Sequence, residues 1–240
     1  MKKTAQVELD NRRNPANTRR QFLKMGGLAI AGAGVLYGCD DDDMPEPNPD
    51  VFDLGGGDLG VLNYAFALEQ LEAEFYTKVV NGSYWSGAAS EEKKILEDIY
   101  NHEVNHREFF KAALHANFSE SEVLPDPLDF NFSSVDFSSR DSVLSTAMLL
   151  EDTGVRAYNG AGRLIQTVDY LVIAGKIVSV EARHAAAIRS ILGEDSGDYK
   201  SFAGDDVIYS NGLDVANNPS EVIQAANGFF NTPFSATQLP

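Results

Sequence analysis

Two short stretches of the chain pair a carboxylate with an imidazole at helical spacing: Glu103-Val104-Asn105-His106 and Glu181-Ala182-Arg183-His184. On a helix, residues three apart share a face, so each stretch presents two donors to one side. The second lies in a run of alanine and branched aliphatic residues, which has the composition of a helix with a buried stripe. A charge on such a stripe needs a partner, because burying it alone is costly. Two further glutamates complete a pattern. Glu69 and Glu151 are each followed seven residues later by a tyrosine, Tyr76 and Tyr158, about two helical turns on and hence on the same face. The chain thus reads Glu, then Glu-x-x-His, twice.

One Glu-x-x-His alone is ordinarily a surface pair, contributing a few tenths of a kcal/mol. Two copies with matched glutamates point to metal ligation. Oxygen and imidazole donors suit iron, manganese or zinc. Bridging carboxylates hold two ions about 3.5–4 Å apart. Four ionised glutamates against two divalent cations balance in charge, which removes the burial cost. The expected ligands are Glu69, Glu103, His106, Glu151, Glu181 and His184. Glu103 and Glu181 are the expected bridges, with Glu69 and Glu151 terminal on opposite ions. Tyr76 and Tyr158 are candidates for a catalytic role, or for hydroxyl donors to a ligand carboxylate. Glu72 is the alternative ligand, and it and Glu74 are otherwise expected to face solvent or to touch a ligand from behind. His102 and His115 lack the pattern and are expected to be exposed. Asp152 and Arg183 are expected to form ion pairs away from the ligands.

Four helical segments must position these residues. The first runs from an Asp58 cap to Asn81-Gly82. The second starts near Ser90, with Glu91 and Glu92 favourable at its positive end. The third starts near Ser138, where Ser138-x-x-Asp141 has the form of a capping box. The fourth covers about Val168 to Leu192 and stops at Gly193. Short connections join the first to the second and the third to the fourth, as in antiparallel pairs. Between the second and third lie about twenty residues rich in proline, aspartate and phenylalanine, roughly 117–137. That length predicts a crossover along an all-α, up-down-down-up four-helix bundle, pinned by Phe130, Phe132 and Phe137. A packed extension follows at 197–240, with a short helix started by Asn218-Pro219.

The stretches carrying this pattern, NYAFALEQLEAEFY, YNHEVNHREFF, LLEDTGVRAYNGAG and VSVEARHAAAIRSILG, resemble the ferritin-like superfamily over about Leu59 to Leu192. More narrowly, they are similar to bacterial ferritin-like-domain proteins related to plant desiccation-related proteins. The resemblance implies a ferritin-like bundle at 58–196 and a dinuclear metal site, with two iron ions, or manganese or zinc, as cofactors. It fixes no activity. The expected functions are oxidation of Fe(II), or consumption of oxygen or peroxide, in oxidative or envelope stress. The alternative is a surface lipoprotein that binds or sequesters metal without turnover.

The N-terminus reads as an address. Arg19-Arg20-x-Phe22-Leu23-Lys24 resembles a twin-arginine export signal. A run of small residues follows, too short to span a bilayer. It ends at Cys39, the chain's one cysteine, in a sequence similar to a bacterial lipoprotein box. Residues 1–38 are therefore expected to be removed, and 39–57, acidic and proline-rich, to form a tether. The expected location is the cell envelope, across the inner membrane and held by the lipid anchor alone, with the outer-membrane surface indicated by the acidic run after Cys39. Beyond the leader, 12 basic residues face 34 acidic ones, a net of −22. So acidic a body repels phosphate backbones, which excludes nucleic acid and favours cations as partners. The tether and the extension fit a monomer or small oligomer better than a storage cage. Replacing Cys39 by serine should move the protein from the membrane fraction to the soluble one. Continued membrane fractionation would place the anchor elsewhere.

Overall fold

A computed structural model describes residues 51–196, 201–204 and 206–240. The leader, Arg19, Arg20, Cys39 and most of the tether lie outside the described residues. Four long helices dominate: α1 (Gly57–Asn81), α3 (Ser90–Asn117), α4 (Arg140–Ala161) and α5 (Val168–Ser196). A five-residue helix, α2 (Ser83–Gly87), fills the connection between α1 and α3. A short α6 (Pro219–Ala226) follows the bundle. None of the described helices is long and apolar enough to cross a membrane.

Polar contacts at the helix ends fix the directions. At one end of the bundle, Asp58 in the first turn of α1 accepts from the backbone amides of Gln166 and Thr167, just before α5, at 2.7 and 3.0 Å. These two helices therefore start together and run parallel. At the other end, Arg140 at the start of α4 donates to Glu92 at the start of α3 (2.5 Å) and to the Ile191 carbonyl late in α5 (3.4 Å). Helices α3 and α4 are thus parallel to each other and antiparallel to α5. The fold is an all-α, up-down-down-up bundle with a long crossover.

That crossover, residues 118–139, is held along its length. Phe132 is buried, and its ring lies 6.0 Å from that of Phe75, while Phe137 lies 5.8 Å from the same ring. Two buried amides of α1, seven residues apart, bind its backbone. Asn63 donates to the Leu54 and Glu122 carbonyls and accepts from the Leu124 amide. Gln70 donates to the Pro125 carbonyl and accepts from the Leu128 amide. A chain that crosses a bundle outside regular structure carries unpaired peptide groups, and these amides satisfy them.

Several boundaries differ from expectation. Asp58 does not cap α1; it lies inside the helix and caps the start of α5 instead. Ser139, one residue later than expected, is the N-cap of α4, accepting from the Ser142 amide, and Ser138 donates to Asp136. Helix α5 passes through Gly193 and ends at Ser196, the cost of one helical glycine being about 1 kcal/mol. Capping boxes do occur, at Ser119/Glu122 and at Asn218/Glu221.

The C-terminal segment closes over the bundle. Two-residue strands β1 (Phe52–Asp53) and β2 (Phe234–Ser235) pair in parallel, tying the lead-in of α1 to the tail. Asn217 donates to the Arg156 carbonyl of α4 at 3.1 Å. The approach demands Gly160, where a Cβ would lie 1.7 Å from the Asn217 oxygen. Two apolar clusters fill the interior. One uses Val61 to Leu68, Phe110, Leu114, Ala157, Tyr158 and Ile177. The other uses Leu71 to Val79, Leu96, Ile99, Val143 to Leu150 and Ile188. On every long helix the expected ligands fall between these clusters, in a polar layer at mid-bundle.

Replacing Asn63 by alanine removes two buried hydrogen bonds and a part-buried one, and leaves two carbonyls and an amide without this partner, a buried group left so costing about 1–3 kcal/mol. Chemical denaturation should show a loss of about 3 kcal/mol or more; a loss below about 1 kcal/mol would mean that the crossover does not depend on this clamp.

Candidate metal centre

The layer contains Glu69 from α1, Glu103 and His106 from α3, Glu151 from α4, and Glu181 and His184 from α5. The four glutamates have no solvent exposure and His184 has 4%. The arrangement follows from helix geometry. Each Glu-x-x-His places its pair one turn apart on the inward stripe, and α1 and α4 each add one carboxylate from the opposite side.

The donors form two sets that share two members. Glu69, Glu103, His106 and Glu181 each offer one atom, and these four atoms lie within 4.8 Å of one another; Glu103, Glu151, Glu181 and His184 do the same. His106 Nδ1 stands 3.3 Å from Glu69 Oε2, 3.4 Å from Glu103 Oε2 and 2.9 Å from Glu181 Oε1. His184 Nδ1 stands 2.8 Å from Glu103 Oε1, 3.3 Å from Glu151 Oε2 and 3.4 Å from Glu181 Oε2. Glu103 and Glu181 thus give one oxygen to each set.

These eight atoms converge without bonding one another. All are buried, and none has a hydrogen-bond partner, although the imidazole nitrogens stand at ion-pair distance from the carboxylates. Buried polar atoms are rarely left so. Their orientation suits a cation between them. The remaining oxygens of the outer glutamates are fixed: Tyr76 donates to Glu151 Oε1 at 2.5 Å, and Tyr158 donates to Glu69 Oε1. The tyrosines therefore cross over. Each holds the glutamate of the other helix and not the one seven residues before it.

Protonation follows from burial and proximity. Burial, then the charge of Glu181, holds Glu103 well above the usual carboxylate range. Burial likewise raises Glu69 and pushes Glu151 up to about 7. For Glu181 burial acts upward too, but the imidazoles of His106 and His184 outweigh it and leave it at about 2. Burial disfavours charge on both histidines; the facing carboxylates reverse that and raise them. Burial thus favours protons on Glu69, Glu103 and Glu151, and the facing carboxylates favour protons on both imidazoles.

The remaining residues meet expectation in part: His102 and His115 are exposed and Asp152 forms an ion pair, while Glu72 and Arg183 differ. Glu72 does not face solvent; it is 3% exposed, and its carboxylate lies against Gly154, where a Cβ would stand 3.0 Å from Oε1. It belongs to neither donor set. Burial, then the charges of Glu103 and Glu181, raises it well above the usual range. His102 is exposed, yet its Nδ1 stands 2.9 Å from His184 Nε2, with the two rings 11° from parallel. Since His184 faces the donor set through Nδ1, its Nε2 is free to donate, and His102 accepts. No sequence spacing marks this contact between helices, although a histidine just before Glu103 was a hint. His115 is exposed beside Glu120. Asp152 forms an ion pair, but with Arg189, a bidentate contact at 2.6 and 2.9 Å that also draws in Asp206. Arg183 is exposed and makes no ion pair among the described residues.

Metal entering this cluster must displace protons, because ligating imidazoles and carboxylates are deprotonated. The raised groups hold those protons at neutral pH, so affinity should fall as pH falls through about 7, the value for Glu151. Calorimetric titration at pH 7 in two buffers of different ionisation enthalpy should give different apparent heats, in the sense of proton release. Equal heats would contradict this protonation pattern.

Residues 57–194 match the sequence profile of the ferritin-like domain. No curated protein matches the chain. The match spans all four long helices and both Glu-x-x-His stretches, and the chain belongs to the ferritin-like domain family.

Proposed function

We propose that the layer binds two metal ions, most naturally iron, and that the protein oxidises Fe(II) with dioxygen or peroxide. The observation that carries this is the set of eight buried, unbonded donor atoms, six carboxylate oxygens and two imidazole nitrogens, divided into two groups that share Glu103 and Glu181. Glu69 and His106 would hold one ion, Glu151 and His184 the other, with Glu103 and Glu181 bridging. Carboxylate-rich surroundings are hard and anionic, which favours the higher oxidation state of iron. Two ferrous ions held there would supply the two electrons that, with two protons, reduce dioxygen to hydrogen peroxide.

The chain's own residues orient the donors and exclude water. Tyr76 and Tyr158 fix the free oxygens of Glu151 and Glu69, so each outer glutamate presents one defined oxygen. His102 fixes the tautomer of His184, which leaves Nδ1 as the ligating nitrogen. Partners of this kind commonly change metal affinity or activity 10–100-fold. The arginine pair and Cys39 support a location outside the cytoplasm for this chemistry.

Anaerobic Fe(II) titration of protein lacking residues 1–39 should reach two ions per chain. His184→Ala should lose one, and the double variant His106→Ala/His184→Ala both, with helix content retained. Retention of two tight ions by the double variant would displace the site. Tyr158→Phe should keep both ions and oxidise them about 10-fold more slowly. Binding of two ions with no turnover under either oxidant would leave a metal-sequestering protein instead of an enzyme.

A further inference from the structure

Beside the donor layer, at the end of the bundle where α1 and α5 start, all four long helices line a cavity of about 30 Å³ that opens to solvent on one side. Roughly 10–15 Å³ on this measure holds one water, so the space admits a molecule of two heavy atoms. Its walls are apolar, with Ala65 and Leu68 from α1, Ala113 from α3, Ala157 from α4 and Ala174 from α5 among them. Three tyrosines bring the only side-chain polar atoms. Tyr158 is a wall of the cavity and at the same time donates its hydroxyl to Glu69. Tyr170 lies at the partly exposed start of α5. Tyr64 is 2% exposed, and its hydroxyl is buried with no hydrogen-bond partner. Phe109, 39% exposed, lines the side open to solvent.

A water molecule is held in a protein interior by two to four polar partners. Of the inner lining side chains, Tyr64 carries an uncommitted buried hydroxyl and the Tyr158 hydroxyl is taken by Glu69, while the others are hydrocarbon. Hydrogen peroxide, with two donors and several lone pairs, meets the same deficit and loses its hydration on entry. Dioxygen has neither donors nor strong acceptors. It matches the cavity in size and polarity, and can occupy it without leaving anything of its own unpaired. Tyr158 and Leu68, the neighbour of Glu69 in sequence, connect the cavity to the donor layer.

We propose that this cavity is a dioxygen site that delivers the oxidant to the Glu69 side of the metal centre and discriminates against peroxide. The inference rests on the oxidative reading above and names the oxidant that reading leaves open. It also makes Tyr64 and the small residues of the cavity wall determinants of oxidant choice, although none is a metal ligand.

Xenon is the probe for the cavity itself, since apolar cavities of folded proteins take it up when dry. Metal-free crystals pressurised with xenon should show one atom bounded by Ala65, Leu68 and Ala157. Ala174→Leu, or Ala113→Leu on α3 should the first not fold, should exclude it. In iron-loaded protein the same variants should keep both ions, while their rate with dioxygen falls several-fold relative to their own rate with peroxide. Absence of xenon from the wild-type cavity overturns the proposal. So does a dioxygen-to-peroxide rate ratio that filling the cavity leaves unchanged. A wild-type protein that reacts with neither oxidant is a separate result, because it overturns the oxidative reading and this inference together.

Discussion

Four carboxylates with no solvent exposure meet at the middle of a helix bundle, and the structure is organised around that electrostatic problem. Ionised glutamates at this spacing repel strongly in a medium of low polarity. Two responses are visible in the donor layer: two histidines face the carboxylates, and two tyrosines take one oxygen from each outer glutamate. Burial also raises Glu69, Glu103 and Glu151, which favours their protonated forms. None of these gives the inward-facing atoms a hydrogen bond. A pair of cations would satisfy those atoms by coordination instead, replacing the protons and matching the charge.

The surrounding fold serves to hold that layer in register. An apolar cluster on each side fixes the height of the helices, so that residues 69, 103, 151 and 181 arrive at one level. Asp58 locks the starts of α1 and α5 together, and Arg140 does the same for α3 and α4. The antiparallel neighbours α1/α3 and α4/α5 then bring each Glu-x-x-His opposite a single glutamate from the adjoining helix. Because α3 and α4 are parallel, the chain must travel the bundle's length between them. Asn63 and Gln70 absorb the peptide groups of that journey, from the same helix that carries Glu69 and Tyr76.

Much of this was legible in the sequence, for a physical reason. Helical ligands repeat at fixed spacing, so Glu103/His106 and Glu181/His184 announce a common face, and the matched Glu69 and Glu151 announce a common level. The proline-rich length between the second and third helices likewise implies a crossover. What stayed hidden depends on contacts between helices, which leave no periodic trace. The exchange of tyrosines, with Tyr76 on Glu151 and Tyr158 on Glu69, needs the packing of α1 against α4. His102 on His184, Asp152 on Arg189 and the burial of Glu72 are of the same kind. Helix caps misled by a residue or two, because several serines and aspartates compete for each end. Asp58 illustrates this, since its carboxylate serves a helix more than a hundred residues away.

The central claim is that the eight convergent donor atoms are the ligands of two metal ions sharing Glu103 and Glu181. The most direct test is the anomalous diffraction of crystals grown with manganese or iron, collected on either side of the metal absorption edge. The account predicts two peaks within the layer, one beside His106 and Glu69 and the other beside His184 and Glu151, with both bridging glutamates between them. No peak in the layer, or a peak only at surface carboxylates, would contradict it.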